Sequence, residues 1–208
     1  MPSTPVAIVS CHLEQPLSDA SWQRFDALQR HRPGGFDVIV LMRPPDAEHG
    51  EDETAWLERA RTAAARGPFG LHTHWTSPTH ARPTGGDPAA RVRAEAAWMR
   101  EHGLEPRFFC GGGWYTDDGV RAAVWELGLV DCTARGGVPA QGVLPTTHSL
   151  GALARAVLRP LPAYVHAYFH DYDLLDPLRR TALRAALGVL GRRRSPADPL
   201  ALSGPSAR

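Results

Sequence analysis

The chain has 208 residues, of which 43% are hydrophobic and 22% charged. This is enough for one well-buried globular domain. The formal net charge of +1 gives no indication of nucleic-acid binding or of attraction to an anionic membrane. All 23 basic residues are arginine, which excludes lysine Schiff-base chemistry and a Walker A phosphate loop.

The cysteines and the first residues indicate the cellular compartment of the protein. Cys11, Cys110 and Cys132 are odd in number and widely spaced, so we expect no disulfide framework and a reducing compartment. The first residues have no basic region before their short apolar run, and no stretch approaches the ~20 apolar residues of a membrane span. These features predict a cytoplasmic protein with no membrane span.

Short apolar runs alternate with helical patterns along the first half of the chain. Asp87 and Pro88 are typical of a helix start, and Gly103 of a helix end. The sequence predicts a strand at 5–13, a helix at 18–31, a strand at 36–42, a helix at 53–66, a strand at 68–74 and a helix at 87–102.

The alternation continues through the second half. The sequence predicts a strand at 107–110, a helix at 117–127, a strand at 129–132, a helix at 149–158, a strand at 163–170 and a helix from Asp176-Pro177 to about 191. Residues 195–208 are rich in Pro, Ala and Ser, and we expect a disordered tail there. One domain would then cover residues 1–194.

This order predicts an α/β fold: a single domain built as a distorted (β/α) barrel of about six or seven mainly parallel strands. In such folds, functional residues gather at the carboxyl ends of the strands. Residues suited to chemistry or ligand binding stand at these ends throughout the chain: His12 and Glu14, His72 and His74, the Gly111–Tyr115 turn, Asp131, and His170 with Asp171.

Three histidines lie within nine residues, at the end of the predicted strand 68–74. His72 and His74 are two residues apart, so they share one face of that strand, and His80 follows in the next loop. Neutral imidazole is the commonest protein ligand for zinc and similar ions. The cluster therefore predicts a divalent metal site, against the alternative of polar residues at the mouth of a loop.

Two other strand ends carry candidate chemistry. His12 and Glu14 also share a strand face, where a carboxylate would complete a metal site or act as a general base; a solvated loop is the alternative. His170 beside Asp171 is a candidate general acid, oriented by Asp171 or Asp173. His166, on the same strand, is more simply explained as a buried residue with satisfied hydrogen bonds.

A glycine-rich turn with aromatic neighbours is the candidate substrate wall. Three glycines allow positive φ and the close approach of a ligand, and aromatic rings at a polar pocket stack on sugar rings; a tight turn with a core tryptophan is the alternative. Asp131 is either a pocket residue or a strand-end cap. The candidate substrate residues are Trp75, Gly112, Gly113, Trp114, Tyr115, Asp131 and Asp173.

The order of these segments resembles the polysaccharide deacetylase family, the NodB-homology or carbohydrate esterase 4 group. Gly70-Leu71-His72-Thr73 is similar to the first half of the family's metal-binding motif. Phe109–Trp114 resembles its pocket loop, and Tyr168–Asp171 resembles the segment that carries its catalytic acid. The resemblance spans residues 5–191 in order.

The resemblance implies a metal-dependent hydrolase that removes an acetyl group from an N-acetylated sugar or glycoconjugate. The metal would be zinc, with cobalt, nickel or iron as alternatives. His170 would protonate the leaving amine, and Glu14 or His12 would be the base. The partner would be a carbohydrate or glycoconjugate.

The chain departs from the family pattern in three places. Ser10–Glu14 stands where adjacent aspartates are expected, Cys110 where the pocket arginine is expected, and Thr76 where the second metal histidine is expected. By the resemblance, His74 or, across an insertion, His80 would fill that last role. The alternatives are a catalytically degenerate domain that binds a glycan or partner, and an amidohydrolase-type metal hydrolase, whose His-x-His would stand on the first strand.

Overall fold

The computed structural model describes residues 4–204. Eight strands form one sheet in which every strand pairing is parallel. They are β1 (Val6–Leu13), β2 (Val38–Met42), β3 (Phe69–Thr73), β4 (Phe108–Gly111), β5 (Val130–Asp131), β6 (His148–Ser149), β7 (Tyr164–His170) and β8 (Ser195–Pro196).

Within residues 4–204, seven α-helices connect or follow these strands. Each begins after a Ser or Asp whose side chain accepts a hydrogen bond from a backbone N–H of the first turn, which satisfies a donor that the helix itself leaves unpaired. They are α1 (Asp19–His31), α2 (Glu53–Ala64), α3 (Pro88–Glu101), α4 (Asp118–Glu126), α5 (Leu150–Ala156), α6 (Pro177–Arg193) and α7 (Pro199–Leu202).

The sheet has the order β5-β4-β3-β2-β1-β7-β6, with β8 beside the start of β1. It curls into a distorted barrel, which confirms the predicted fold class. An irregular segment bridges the gap between β5 and β7: Leu144 N–H donates to Asp131 O, and Thr147 N–H donates to His166 O, both at 2.9 Å. The buried polar groups at the edge of the sheet are thus paired without a long strand.

Side-chain alternation along β1 separates two hydrophobic layers. Val9, Cys11 and Leu13 pack in the larger cluster, with residues of the surrounding helices. Ile8 packs in the second cluster, with residues such as Phe108 inside the curled sheet. Further along the inner face of β1 the residues become polar, Ser10 and then His12, so the apolar interior gives way to a polar cavity near the carboxyl ends of the strands.

The chain after α6 differs from the sequence-based expectation of a disordered tail from Ser195. Residues 195–204 form β8 and α7; Pro199 is buried, and Leu200 and Leu202 pack against the inner hydrophobic cluster. These apolar side chains cover the amino ends of the strands, which explains the order in a segment whose composition is typical of a tail. Residues 205–208 lie outside the described part of the chain.

Candidate metal centre

Five polar residues converge at the mouth of the barrel because they stand at the carboxyl ends of neighbouring parallel strands. His12 lies near the end of β1 and Glu14 just beyond it, His72 lies near the end of β3 and His74 just beyond it, and His170 ends β7. The register pairs His12 directly with His170. The rigid sheet therefore fixes the positions of these side chains.

Glu14 lies at the centre of this group. Its Oε1 atom is 3.6 Å from His72 Nε2, 3.9 Å from His74 Nε2 and 3.6 Å from His170 Nε2. Two ligands of one tetrahedral zinc ion, each at about 2.0–2.2 Å from it, would lie roughly 3.3–3.6 Å apart. Glu14, His72 and His74 are thus close to the spacing that a shared divalent ion requires.

The hydrogen bonds of His72 and His74 orient their free nitrogens toward Glu14. His72 Nδ1 is 2.9 Å from Cys110 O, and His74 Nδ1 is 2.9 Å from Pro78 O. Since a carbonyl only accepts, each Nδ1 carries the proton and each Nε2 carries a lone pair. Both Nε2 atoms are buried without a hydrogen-bond partner. This tautomer and this backbone support are typical of histidines that bind metal ions, so the residues fit such an ion.

The electrostatic environment favours the protonation states that metal binding needs. Burial raises the pKa of Glu14, but the three facing imidazoles outweigh it, and the net effect lowers that pKa. Burial and the neighbouring His72 lower the pKa of His74 to about 4, although Glu14 opposes this. An ionised carboxylate and a neutral imidazole therefore meet at neutral pH.

His12 lies beneath this group, at the floor of the site. Its ring centroid is 4.7 Å from that of His72 and 5.0 Å from that of His170, and it stacks at 5.6 Å on Tyr168. Burial, and then the surrounding imidazoles, lower the pKa of His12 well below its usual value. Its Nε2 is also buried without a partner, so His12 is a neutral imidazole with an unused nitrogen.

His170 has a carboxylate behind it. His170 Nδ1 is 3.8 Å from Asp173 Oδ2, and Arg179 donates to Asp173 Oδ1 at 2.9 Å. Burial raises the pKa of Asp173, but hydrogen bonds from His170 and Arg179 outweigh it and lower that pKa. Of the two predicted partners, it is therefore Asp173 that faces the imidazole.

Asp171 has a different role. It is fully buried and accepts hydrogen bonds from the backbone N–H groups of Gln15, at 2.8 Å, and Tyr172, at 2.9 Å. Burial raises its pKa to about 6. Asp171 thus connects the loop that follows Glu14 to the end of β7, and positions Glu14 rather than contacting the cavity.

Arg43 is a site residue that the sequence analysis missed. It is buried at the end of β2, donates to Glu14 O at 3.1 Å, and forms two hydrogen bonds with Glu51, at 2.7 and 2.6 Å. It therefore holds the backbone of Glu14 in place. The available signal was its position, directly after a strand and before Pro44-Pro45, where the other site residues of this chain also stand.

The glycine-rich turn supports the site through its backbone. Gly112 packs so closely on β3 that an added Cβ would lie 2.6 Å from Thr73 O and 3.0 Å from His74 Cδ2. Trp114 has a positive φ of 60°, which is strained for a bulky residue, and its ring lies 5.3 Å from His12 and 4.7 Å from Tyr168. Trp114 is thus a wall of the site.

The other predicted substrate residues lie deeper or turn away. Trp75 is buried and donates from Nε1 to Gly112 O at 3.1 Å, and Tyr115 donates to Asp117 at 2.6 Å. Asp131 is buried and accepts from Thr133 N at 2.7 Å, as a strand-end cap does. Gly113 adopts a φ of 59° beneath the side chain of Arg82.

The structure places His80 outside the cluster. Its side chain is exposed, and its backbone pairs with Ser77 in a tight turn. That turn brings Pro78 O to His74 Nδ1, so the loop containing His80 supports His74 instead of supplying a further ligand.

Two cavities flank the cluster. One, of about 460 Å³, is lined by Glu14, Arg43, His74 and Tyr172 among others. The second, of about 390 Å³, is lined by Tyr168, His170, Tyr172 and Asp173 among others. Tyr172, which stacks on His170 at 4.8 Å, borders both, so the cluster has a cavity on either side.

Comparison with known proteins finds no matching family model and no matching curated protein. Similar solved structures include a carbohydrate esterase family 4 (CE4) pseudoenzyme from Bacillus anthracis, with 13% identity, a TM-score of 0.60 and coverage of 98% of this chain and 66% of that one. A family 4 acetyl xylan esterase from Clostridium thermocellum in complex with a cobalt ion has 16% identity, a TM-score of 0.51 and coverage of 88% and 82%.

A polysaccharide deacetylase from Bacillus cereus gives 13% identity, a TM-score of 0.51 and coverage of 94% of this chain and 93% of that one. At these identities the likeness is one of fold. The chain has the fold of CE4 deacetylases and pseudoenzymes, in a divergent form. Among the described helices, none has the length and apolar character to cross a membrane.

Proposed function

We propose that the protein is a metal-dependent hydrolase that removes an acetyl group from an N-acetylated sugar or glycoconjugate. The observation that carries this proposal is the position of Glu14 Oε1, 3.6 and 3.9 Å from the buried, unpartnered Nε2 atoms of His72 and His74. These three residues would hold the ion. Zinc is the first expectation for such nitrogen and oxygen ligands, with cobalt, nickel or iron as alternatives.

A bound ion would polarise the acetyl carbonyl and make a water molecule more acidic. His12, neutral and with an unused Nε2, accepts the proton of the attacking water. His170 donates a proton to the leaving nitrogen, and Asp173, itself held by Arg179, orients the imidazole. Arg43 and Asp171 fix the loop of Glu14 from two sides.

The substrate class is proposed from the shape of the site and the fold. Tyr168 and Tyr172 line the cavity beside His170, and the ring of Trp114 packs against Tyr168 and His12. Aromatic faces suit the apolar faces of sugar rings. The solved structures of similar fold include one described as an acetyl xylan esterase and one described as a polysaccharide deacetylase. An acetylated sugar fits both observations, and the deacetylase-like fold favours the N-acetylated class.

A second candidate is a catalytically degenerate domain that binds a glycan or a partner. Ser10–Glu14 replaces the adjacent aspartates of the deacetylase pattern, and one protein of similar fold is described as a pseudoenzyme. In this case Glu14, His72 and His74 would bind an ion or a ligand, but no acetyl group would be hydrolysed.

We also propose a cytoplasmic location. Cys11, Cys110 and Cys132 are free and buried, and unpaired thiols are typical of proteins in a reducing compartment.

Elemental analysis of the purified protein, followed by assay of acetate release from N-acetylglucosamine oligomers, tests the function. We expect about one ion per chain in the wild type, its loss in the His72→Ala/His74→Ala double variant, and loss of acetate release in Glu14→Gln. His80→Ala, which changes an exposed histidine of the same loop, is the matched control and should keep the ion. Metal without acetate release from any acetylated amino sugar would favour the degenerate domain, and no metal in the wild type would contradict both the site and the activity.

A further inference from the structure

A second set of ligand atoms lies at the floor of the site, below Glu14 and His74. His12, His72 and Cys110 each offer one ligand atom, and these three atoms lie within 4.8 Å of one another. None of the three residues is more than 2% exposed. The side chain of Cys110 packs in the cluster inside the curled sheet, so a sulfur and two imidazoles meet there away from solvent.

Two of these residues have hydrogen-bonding capacity that the protein leaves unused. The Nε2 atoms of both His12 and His72 are buried and have no hydrogen-bond partner. A buried polar atom without a partner is costly, and here two such atoms belong to residues of the same three-residue group. His166, one layer deeper, shows the contrast, because both of its ring nitrogens are bonded, to Leu144 O and Ser10 Oγ.

The three residues are also held rigidly. His72 and Cys110 are paired across β3 and β4, and His12 lies on β1. His72 Nδ1 is fixed by Cys110 O at 2.9 Å, which leaves Nε2 as the nitrogen available to bind an ion. Positions on strands are better defined than positions on loops, and metal sites depend on such definition.

We propose that His12, His72 and Cys110 form an inner metal site that binds thiophilic ions such as zinc or cadmium. A thiolate favours soft and borderline ions over hard ones, and two imidazoles with one thiolate are an ordinary zinc ligand set. Binding replaces the S–H bond of Cys110 by a metal–sulfur bond, and the thiol proton is released to solvent.

The inner site and the Glu14–His72–His74 site share His72. Because the other nitrogen of His72 is bonded to Cys110 O, Nε2 is the atom available to either ion, and one ion at a time can use it. An ion in the inner site would be surrounded by buried side chains and would take His12 from its proposed role as base. Cadmium should therefore inhibit any hydrolysis that depends on the outer site.

Absorption spectroscopy of the cobalt(II)- and cadmium(II)-loaded full-length protein tests this inference. We expect a near-ultraviolet thiolate-to-metal charge-transfer band in the wild type and in Glu14→Gln, and its loss in Cys110→Ser with an at least tenfold weaker cadmium affinity. Cys132→Ser is the matched control, because Cys132 is a buried thiol of the same inner cluster outside the proposed ligand set. Circular dichroism establishes that each variant is folded. If Cys110→Ser does not fold, Cys110→Ala takes its place.

The outcomes separate this inference from the proposed function. A folded wild type without a thiolate band at saturating cobalt and cadmium overturns the inner site, as does a band that survives Cys110→Ser and disappears in Cys132→Ser. Cobalt binding that depends on Glu14 and shows no thiolate band overturns the inner site but leaves the hydrolase. A thiolate band in Glu14→Gln supports the inner site. If, in addition, the wild type loaded with any of the tested metals releases no acetate, the hydrolase is contradicted.

Discussion

His72 and His166 are both buried histidines on strands of the same sheet, yet their surroundings give them different roles. His166 is bonded through Nδ1 to Leu144 O at 3.1 Å and through Nε2 to Ser10 Oγ at 2.9 Å. His72 is bonded through Nδ1 alone, and its Nε2 has no partner. The free nitrogen, more than burial, is therefore what distinguishes a candidate ligand from a structural histidine in this protein.

The pH dependence of stability should report on His166. Burial lowers its pKa to about 4, below the ~6.5 of an unfolded histidine. Because the unfolded chain binds the proton more readily, the contribution of His166 is fully present above pH ~6.5 and is lost as the pH falls toward 4. Between pH 7 and pH 5 this amounts to about 2 kcal/mol of unfolding free energy.

The variant His166→Gln isolates this contribution. Urea unfolding of metal-free protein at pH 7 and pH 5 should show a smaller loss of stability in the variant than in the wild type, by about 2 kcal/mol. An equal pH dependence in the two proteins would show that His166 is protonated as easily in the folded chain as in the unfolded one.

Much of the candidate site can be read from residue spacing, because side chains two apart on a strand share a face. This rule identified His72 with His74 and His12 with Glu14. The position of Arg43 depends on the β1–β2 pairing and on a contact with Glu51, which no local pattern encodes. The choice between Asp171 and Asp173 likewise depends on how the chain turns after β7.

At the scale of elements, the turn Gly112–Trp114 sets how closely the chain after β4 approaches His72 and His74. Gly112→Ala would place a Cβ 2.6 Å from Thr73 O and 3.0 Å from His74 Cδ2. We expect a loss of about 1–3 kcal/mol in unfolding free energy from this overpacking. The displaced His74 ring should also weaken metal binding at least tenfold, as measured by competition with a chelating dye.

Gly85→Ala is the matched control for this prediction. Gly85 lies in the loop that follows His74, and a Cβ there would meet nothing within 4 Å. This variant should keep the stability and metal affinity of the wild type. If Gly112→Ala also kept the metal affinity, the close packing of the turn would have no part in positioning His74.

Most strands and helices follow from sequence patterns, and even the short β4 and β5 lie in apolar runs that predict strands. β6 and β8 are not predicted, because these two-residue strands lie in no apolar run. They form because their backbone pairs with strand edges that would otherwise be unpaired: β6 pairs with β7, and β8 pairs with β1. The bridging segment around Leu144 is likewise determined by the gap that the curled sheet leaves between β5 and β7.

On the scale of the whole molecule, one end of the barrel carries the candidate site and the other end is closed by packing. The candidate site occupies the carboxyl ends of the strands, and residues 195–204 cover the amino ends, where β8 pairs with Val6 and Ala7. Ala7 and Glu14 are seven residues apart along β1, or ~23 Å at the usual rise of a strand. Changes at the amino ends should therefore alter the stability of the protein but leave its metal affinity unchanged.

Ending the chain after Arg194 tests this separation. The truncation removes Pro199, Leu200 and Leu202 from the amino ends, and we expect it to lower the unfolding free energy by about 3 kcal/mol, since partly buried leucines contribute less than a full burial term. Metal affinity at 25 °C should stay within twofold of the wild type, because β8 pairs at the start of β1, whereas Glu14, His72 and His74 lie at the carboxyl ends of the strands. Leu200→Ala should give a smaller loss of stability in the same direction. A folded truncated chain that had lost its metal would contradict this division, and would mean that the packing at the amino ends sets the geometry of the site.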